Sequence, residues 1–205
     1  MPIELMWLLF VLVVGTVMIF VVLSHTKFTV RKISMIGLMA ALSFVAYEFF
    51  RIPYGSSGAS FHLGNTFTVL TALLMDGVSG GLAGAIGLAL ADIMAGYPGY
   101  AITTFILKFI IGITSGFFAH KVFKIDENSR ILPIGISAAS GLILNVFTDP
   151  FLGYFRDRYI FGQPAKIVNI LVKMSATATL VNTILSTIFA ILLYMALRKV
   201  IKKEE

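Results

Sequence analysis

Five ionisable residues, Glu48, Asp92, Lys108, Asp149 and Lys173, interrupt otherwise apolar segments of this chain. Charge inside hydrocarbon costs several kcal/mol, so such residues pair, line a wet cavity or bind something. Two chemistries follow. Asp92–Lys108 and Asp149–Lys173 could be structural ion pairs that satisfy each other, or Lys108, Asp149 and Lys173 could contact a ligand. Helical spacing joins them to polar neighbours: Thr104 with Lys108, Asn145 with Asp149, and Asn169 with Lys173 and then Thr177 are each one turn apart. Catalysis would need a nucleophile–base or metal constellation. The chain has no cysteine, no H-E-x-x-H and no aspartate pair at a shared depth, so no enzyme is expected. His25, His62 and His120 sit in separate loops or helix ends at spacings that match no metal-ligand motif, and no metal or cofactor is expected. The phosphate-binding pattern G-x-x-x-x-G-K-S/T is absent, so ATP would have to bind a partner.

The elements that must position these residues are membrane helices. The chain of 205 residues is 58% hydrophobic and 13% charged, roughly half the charge fraction of a soluble domain. Seven apolar segments run over 5–23, 33–50, 62–76, 79–95, 101–120, 131–149 and 167–197, and a spanning helix takes about 20 residues. The segment 62–76 is short for a straight span. The first segment lacks a basic leader region and a small-residue cleavage site, so it is expected to stay as a helix.

Net charge is +6, yet the basic residues cluster in short loops as topology signals, and no nucleic acid partner is expected. Lys27, Arg31 and Lys32, then Lys121, Lys124 and Arg130, then Arg198, Lys199, Lys202 and Lys203 all fall on one side. Only Arg51, Arg156, Arg158 and Lys166 fall on the other. The excess of Lys and Arg predicts a multi-pass protein of the cell membrane with the N-terminus outside and the C-terminus in the cytoplasm.

With that orientation the polar stripes of the last three segments lie in the outer half of the membrane, as does Asp92. The inner halves are nearly free of charge. A conduction path would need polar groups at several depths, whereas a pocket open only to the outside needs this pattern. Residues 51–61 form an outer loop rich in turn residues, Gly96–Tyr100 a tight outer turn, and 150–166 a longer outer connection. Aromatics crowd the same region. Most suit an interfacial belt, and Tyr54, Phe61 and Phe105 are the candidates for stacking on a flat ligand. Glu48 falls on the stripe of Gly37 and Ala41, which points it toward another helix. The fourth segment, Gly80 to Asp92, carries small-xxx-small ridges that let helices approach closely in lipid.

These residues resemble the substrate-binding S components of energy-coupling factor (ECF) vitamin transporters. A basic stretch leading into Ile33-Ser-Met-Ile-Gly37-Leu-Met-Ala-Ala41-Leu is similar to the family's first helix. His62-Leu-Gly-Asn65-Thr-Phe-Thr resembles its second, Gly80 to Asp92 with Gly96-Tyr97 its third and exit turn, and Thr103-Thr-Phe-Ile-Leu-Lys108-Phe-Ile-Ile-Gly112 its fourth. The likeness covers about 27–200. It implies an all-α membrane protein: a six-helix bundle over 27–205, preceded by an extra transmembrane helix in 1–26. It implies a lid in 51–61 and a pocket built mainly from that lid and the last three core helices. It also implies a binding subunit without chemistry of its own, which hands a vitamin to a transmembrane T component with two ATPases. Gly37 and Ala41 match the motif that contacts the T component, with Gly where Ala is common.

Lys108 and Lys173 could answer an anionic group, Asp92 and Asp149 a ring N–H or hydroxyl, and Asn145 and Asn169 either. Such a site suits a hydroxylated nitrogen heterocycle. Within the resembled family the pattern over 62–112 is closest to riboflavin-type members, with pyridoxine and hydroxymethylpyrimidine types near. The rival class is a stand-alone ion-coupled secondary transporter, which often shows two similar halves and a midplane site. Neither feature is visible here.

Overall fold

The computed structural model describes residues 3–55, 58–126 and 129–201. Ser56 and Ser57 of the expected lid, and Lys202 and Lys203 of the basic C-terminus, lie outside the described residues. The helices are α1 (Ile3–Ser24), α2 (Val30–Glu48), α3 (Gly64–Leu74), α4 (Gly77–Met94), α5 (Ala101–Phe117), α6 (Ile131–Phe155) and α7 (Ala165–Ile201). Among the described residues, α2, α4, α5, α6 and α7 lie in stretches long and apolar enough to cross a membrane. The protein is an all-α, multi-pass membrane protein.

Helix α3, with 11 residues, is only about 16 Å long, about half of a hydrocarbon core. It packs against α4, α5 and α7, and α4 packs in turn against α2 and α5. The turn between α3 and α4 is set by Asp76. Its backbone is extended and its carboxylate accepts the Ser79 N–H at 2.9 Å, capping α4. Lys32 near the start of α2 reaches the same carboxylate at 2.8 Å. Burial pushes the Asp76 carboxyl up, but the Lys32 ammonium and the Ser79 donors outweigh it and hold the group below the usual carboxylate range. The contribution is therefore complete above the unfolded carboxylate value near about 4 and is lost only as pH falls through the lower folded value.

Two further contacts gather the basic loops at one end. His120 bonds the Ala72 carbonyl at 2.8 Å, and Arg198 donates to the Ser129 carbonyl at 2.9 Å. At this basic end lies an apolar core of Val69, Leu70, Leu73, Ile111, Ile134, Leu142 and Tyr194. The opposite end carries the turn Pro98–Tyr100 and the 51–61 loop, which closes as a hairpin. Strands β1 (Ile52–Pro53) and β2 (Ser60–Phe61) pair antiparallel, Ile52 with Phe61 and Pro53 with Ser60.

The expected outer connection over 150–166 is corrected. Helix α6 runs on through Pro150 to Phe155, and a π-helical turn covers Arg156–Ile160. Proline removes one N–H and crowds the carbonyl four residues back. In this helix that carbonyl belongs to Val146, and the turn beyond stays helical.

The glycines of α4 and α5 permit the tightest contact of the bundle. A Cβ at Gly112 would collide with the Gly81 backbone, and one at Gly116 with the Gly77 backbone. Gly37 has open space around it. Gly112→Leu should therefore cost about 3 kcal/mol, the upper end of the usual overpacking range, read as a fall in the thermal unfolding midpoint in detergent. Gly37→Leu should change stability by less than about 0.5 kcal/mol.

Candidate functional site

Beneath the hairpin, at the end away from the basic loops, lies a cavity of about 100 Å³. Every element from α2 to α7 contributes to its wall, together with the hairpin itself. Helix α2 supplies Tyr47, the hairpin Gly58, Ala59 and Ser60, and the start of α3 His62 and Asn65. Leu88 and Asp92 come from α4, Thr104 and Lys108 from α5. Asn145, Asp149, Gly153 and Arg156 repeat along one face of α6 and its π turn. Leu171, Ser175, Ala178, Thr179 and Asn182 do the same along α7.

The charges of this wall are held by hydroxyls. Asp92 accepts from Tyr47 at 3.2 Å and from Thr104. Asp149 Oδ2 accepts from Ser175 at 2.6 Å and Thr179 at 2.8 Å. Lys108 is buried, 8% exposed, and its charge acts on both Asp149 and Asp92. It forms no ion pair or hydrogen bond among the described residues. The Asp92–Lys108 and Asp149–Lys173 pairs do not form. Lys32–Asp76 and Arg156–Asp157 do form ion pairs. Asn65 Oδ1 and Asn145 Oδ1 are buried without a donor. His62 Nδ1 accepts the Gly64 N–H at 3.2 Å, which leaves Nε2 as the protonated nitrogen of a neutral ring.

The expected residues divide. Thr104, Lys108, Asn145 and Asp149 share the cavity. Tyr54 and Phe61 pack on each other at 5.1 Å, outside the lining, and Phe105 is half-buried on α5 without lining it. Asn169 and Lys173 lie on the exposed face of α7. Spacing shows that residues share a face but not which face turns inward, and on α7 the inward face is the one with hydroxyls, not the one with the lysine. Glu48 is half-buried at the end of α2 and does not line the cavity. Gly37 and Ala41 are both exposed on one face of α2.

Sequence reasoning missed Arg156, Asp157 and Asn182. Arg156 lies 3.7 Å over the Tyr100 ring, pairs with Asp157 at 2.8 Å and donates to Thr103 at 3.2 Å. The repeat Asn145, Asp149, Gly153, Arg156 carried that signal, since it keeps helical period across Pro150. Asn182 ties the hairpin down: its Nδ2 donates to the Ser60 carbonyl at 2.9 Å and its Oδ1 accepts the His62 N–H at 3.0 Å. No local pattern marks a contact made 120 residues away.

A multi-pass helical bundle whose polar groups converge on one closed-ended cavity is a solute-binding membrane domain. Residues 27–199 match the family described as ECF-type riboflavin transporter, S component, and the chain belongs to that family. A protein of Pyrococcus woesei, described as an uncharacterized protein in the gap 3' region, is 29% identical over 153 residues, 75% of this chain and 89% of that one. The S component of a bacterial ECF transporter has the same fold. It superposes with a TM-score of 0.61 at 18% identity, over 84% of this chain and 98% of that structure.

The Asn182 clamp makes a specific expectation. Its two buried hydrogen bonds each contribute about 0.5–1.5 kcal/mol. Asn182→Ala should leave the bundle folded, by unchanged circular dichroism. It should also make the 51–61 segment cleavable by an added protease at a rate at least about 10-fold higher.

Proposed function

We propose that this protein binds a B-vitamin or vitamin precursor with high affinity at an outward-facing pocket. It delivers that ligand for ATP-driven uptake through a shared T component and two ATPases. The reading is supported above all by Lys108, a buried ammonium that faces a polar cavity and has no ion-pair or hydrogen-bond partner among the described residues. A charge of that kind is retained where a ligand completes it. Family membership supports the ligand class: flat nitrogen heterocycles of the riboflavin, pyridoxine or hydroxymethylpyrimidine type. The apolar core at the basic end, with Val69, Leu70, Leu73, Ile111, Ile134 and Leu142 packed together, supports binding over conduction.

In this reading Lys108 and Arg156 answer acceptors on the ligand, and Asp149, Asn145 and Asn65 answer its hydroxyl or N–H groups. The excess of Lys and Arg in the loops beside α1, α5 and α7 supports a cytoplasmic basic end. The exposed face of Gly37 and Ala41 then lies near the cytoplasmic surface, as the contact for a helix of the T component. Small residues there would let the two backbones approach closely.

Calorimetry of the purified protein against a panel of B-vitamins and precursors tests the binding. At least one ligand should bind below about 1 μM, and the reading is lost if none does. Lys108→Ala should weaken that ligand by about 10- to 100-fold, the worth of a charge-assisted hydrogen bond, and Asp149→Ala by a similar factor. The docking face is tested separately. Gly37→Leu with Ala41→Leu should leave ligand affinity within about 2-fold while abolishing uptake into vesicles that contain the T component and ATPases.

A further inference from the structure

The bundle carries a second concavity, on its outer face and away from the polar cavity. We propose that this groove between α5 and α6 holds one acyl chain of an anionic phospholipid, whose head group is met by Lys121, Lys124 and Arg130 at the basic end. The proposal does not depend on the vitamin-binding reading.

The groove follows from how the two helices meet. A Cβ at Gly141 of α6 would collide with the Ile111 carbonyl and the Ser115 hydroxyl of α5, so the helices touch there. Two cylinders in contact leave a crevice beside the line of contact. Thr114 and Phe118 of α5 form one wall of this crevice, and Ile136, Ala139, Ser140 and Phe147 belong to the other. The small Ala139 and Ser140 stand between bulkier neighbours and deepen its middle. The groove encloses about 520 Å³.

Its length and chemistry suit a hydrocarbon chain. From Ile136 to Phe147 the helix rises about 16 Å, close to the depth of one leaflet, half of a hydrocarbon core of about 30 Å. The Ser140 hydroxyl donates to the Ser137 carbonyl at 2.9 Å, so it makes no polar demand on an occupant. A partner helix needs small residues along its whole track to come close. Here the small pair covers a single turn, and the exposed Ile136 and Phe147 stand out on either side of it.

Both walls end in cations. Phe118 opens the π-helical turn Phe118–Val122, which carries Lys121, and Lys124 follows two residues after that turn. Arg130 is the N-cap of α6, about 9 Å before Ile136 along the helix axis. All three are exposed and form no ion pair among the described residues. Of the two acids in this loop, Asp126 accepts from the Ser129 hydroxyl at 3.0 Å, and Glu127 lies outside the described residues. Lys124 has a left-handed backbone, with φ +48°, where glycine is usual after a helix. The position carries a long cation at a conformational cost. Basic clusters at the ends of membrane helices attract anionic head groups. Topology alone accounts for the charge, but not for an apolar track that starts beside it.

The full chain, purified in detergent and freed of lipid, is titrated with phosphatidylglycerol and with phosphatidylcholine of the same acyl chains, and bound lipid is counted by native mass spectrometry. One phosphatidylglycerol should bind per chain, at least about 10-fold more tightly than phosphatidylcholine. Replacing Lys121, Lys124 and Arg130 together by Gln should remove that preference. Ser140→Phe, which fills the middle of the groove, should cut phosphatidylglycerol affinity at least about 10-fold with circular dichroism unchanged. Ala139→Leu fills it more gently and should act in the same direction if the larger ring disturbs folding. Equal binding of the two lipids overturns the proposal. So does a preference that survives groove filling, which would assign the lipid to the basic loop alone. A dimer in light scattering that groove filling dissolves would give the groove to a second copy of the chain and overturn it as well.

Discussion

An ammonium buried in a membrane protein must be answered, and the answer organises this fold. Lys108 sits on α5 one helical turn beyond Thr104, deep enough to be shielded from solvent. Neither aspartate in its field comes close enough to form an ion pair with it, because each is engaged elsewhere, Asp92 by Tyr47 and Thr104, Asp149 by Ser175 and Thr179. The two carboxylates act on the lysine at a distance without closing on it. A contact pair would lower the energy of the empty site and compete with any ligand. Hydroxyl partners keep the carboxylates in place and leave the lysine available.

That arrangement needs helices of different origin to meet at one point, which the glycines allow. Where Gly81 faces Gly112 and Gly77 faces Gly116, α4 and α5 touch backbone to backbone. Asp92 and Thr104, on opposite sides of the Pro98–Tyr100 turn, thereby come within hydrogen-bonding reach. Packing of this kind replaces the hydrophobic effect, which gives helices in lipid little reason to associate. The short α3 sets Asn65 in its first turn, and His62 just before it, in the wall of the cavity. The same turn of chain that makes α3 too short to span makes it useful to the site.

Much of this was legible in the sequence. The segment boundaries were close except at the end of α6, because apolar length and loop charge are one-dimensional signals. Thr104, Lys108, Asn145 and Asp149 were found because polar residues at helical spacing in an apolar stretch have few other reasons to be there. The error on α7 has the same root. Asn169 and Lys173 are as conspicuous as the residues on α5 and α6, but they face outward, while the cavity takes the quieter Ser175 and Thr179. A serine or threonine in a membrane helix can satisfy itself on its own backbone, so it carries little signal until its neighbour is known. Of the stacking candidates, Tyr54 and Phe61 pack on each other across the hairpin, and neither they nor Phe105 line the cavity.

The hairpin over the cavity is tied to the same helices that carry the cavity's polar groups. Ser60 and His62 are fixed to α7 through Asn182, and Ala59 and Gly58 follow them over the cavity. On the far side Arg156 is held by Asp157 and Thr103 and covers Tyr100, against which Gly58 rests. The hairpin therefore bridges α7 and the Pro98–Tyr100 turn, two elements that also carry or adjoin the groups facing the ligand. In the proposed reading a ligand on Lys108 and Asp149 would join α5, α6 and α7 through common contacts, beneath a hairpin that Asn182 already ties to α7.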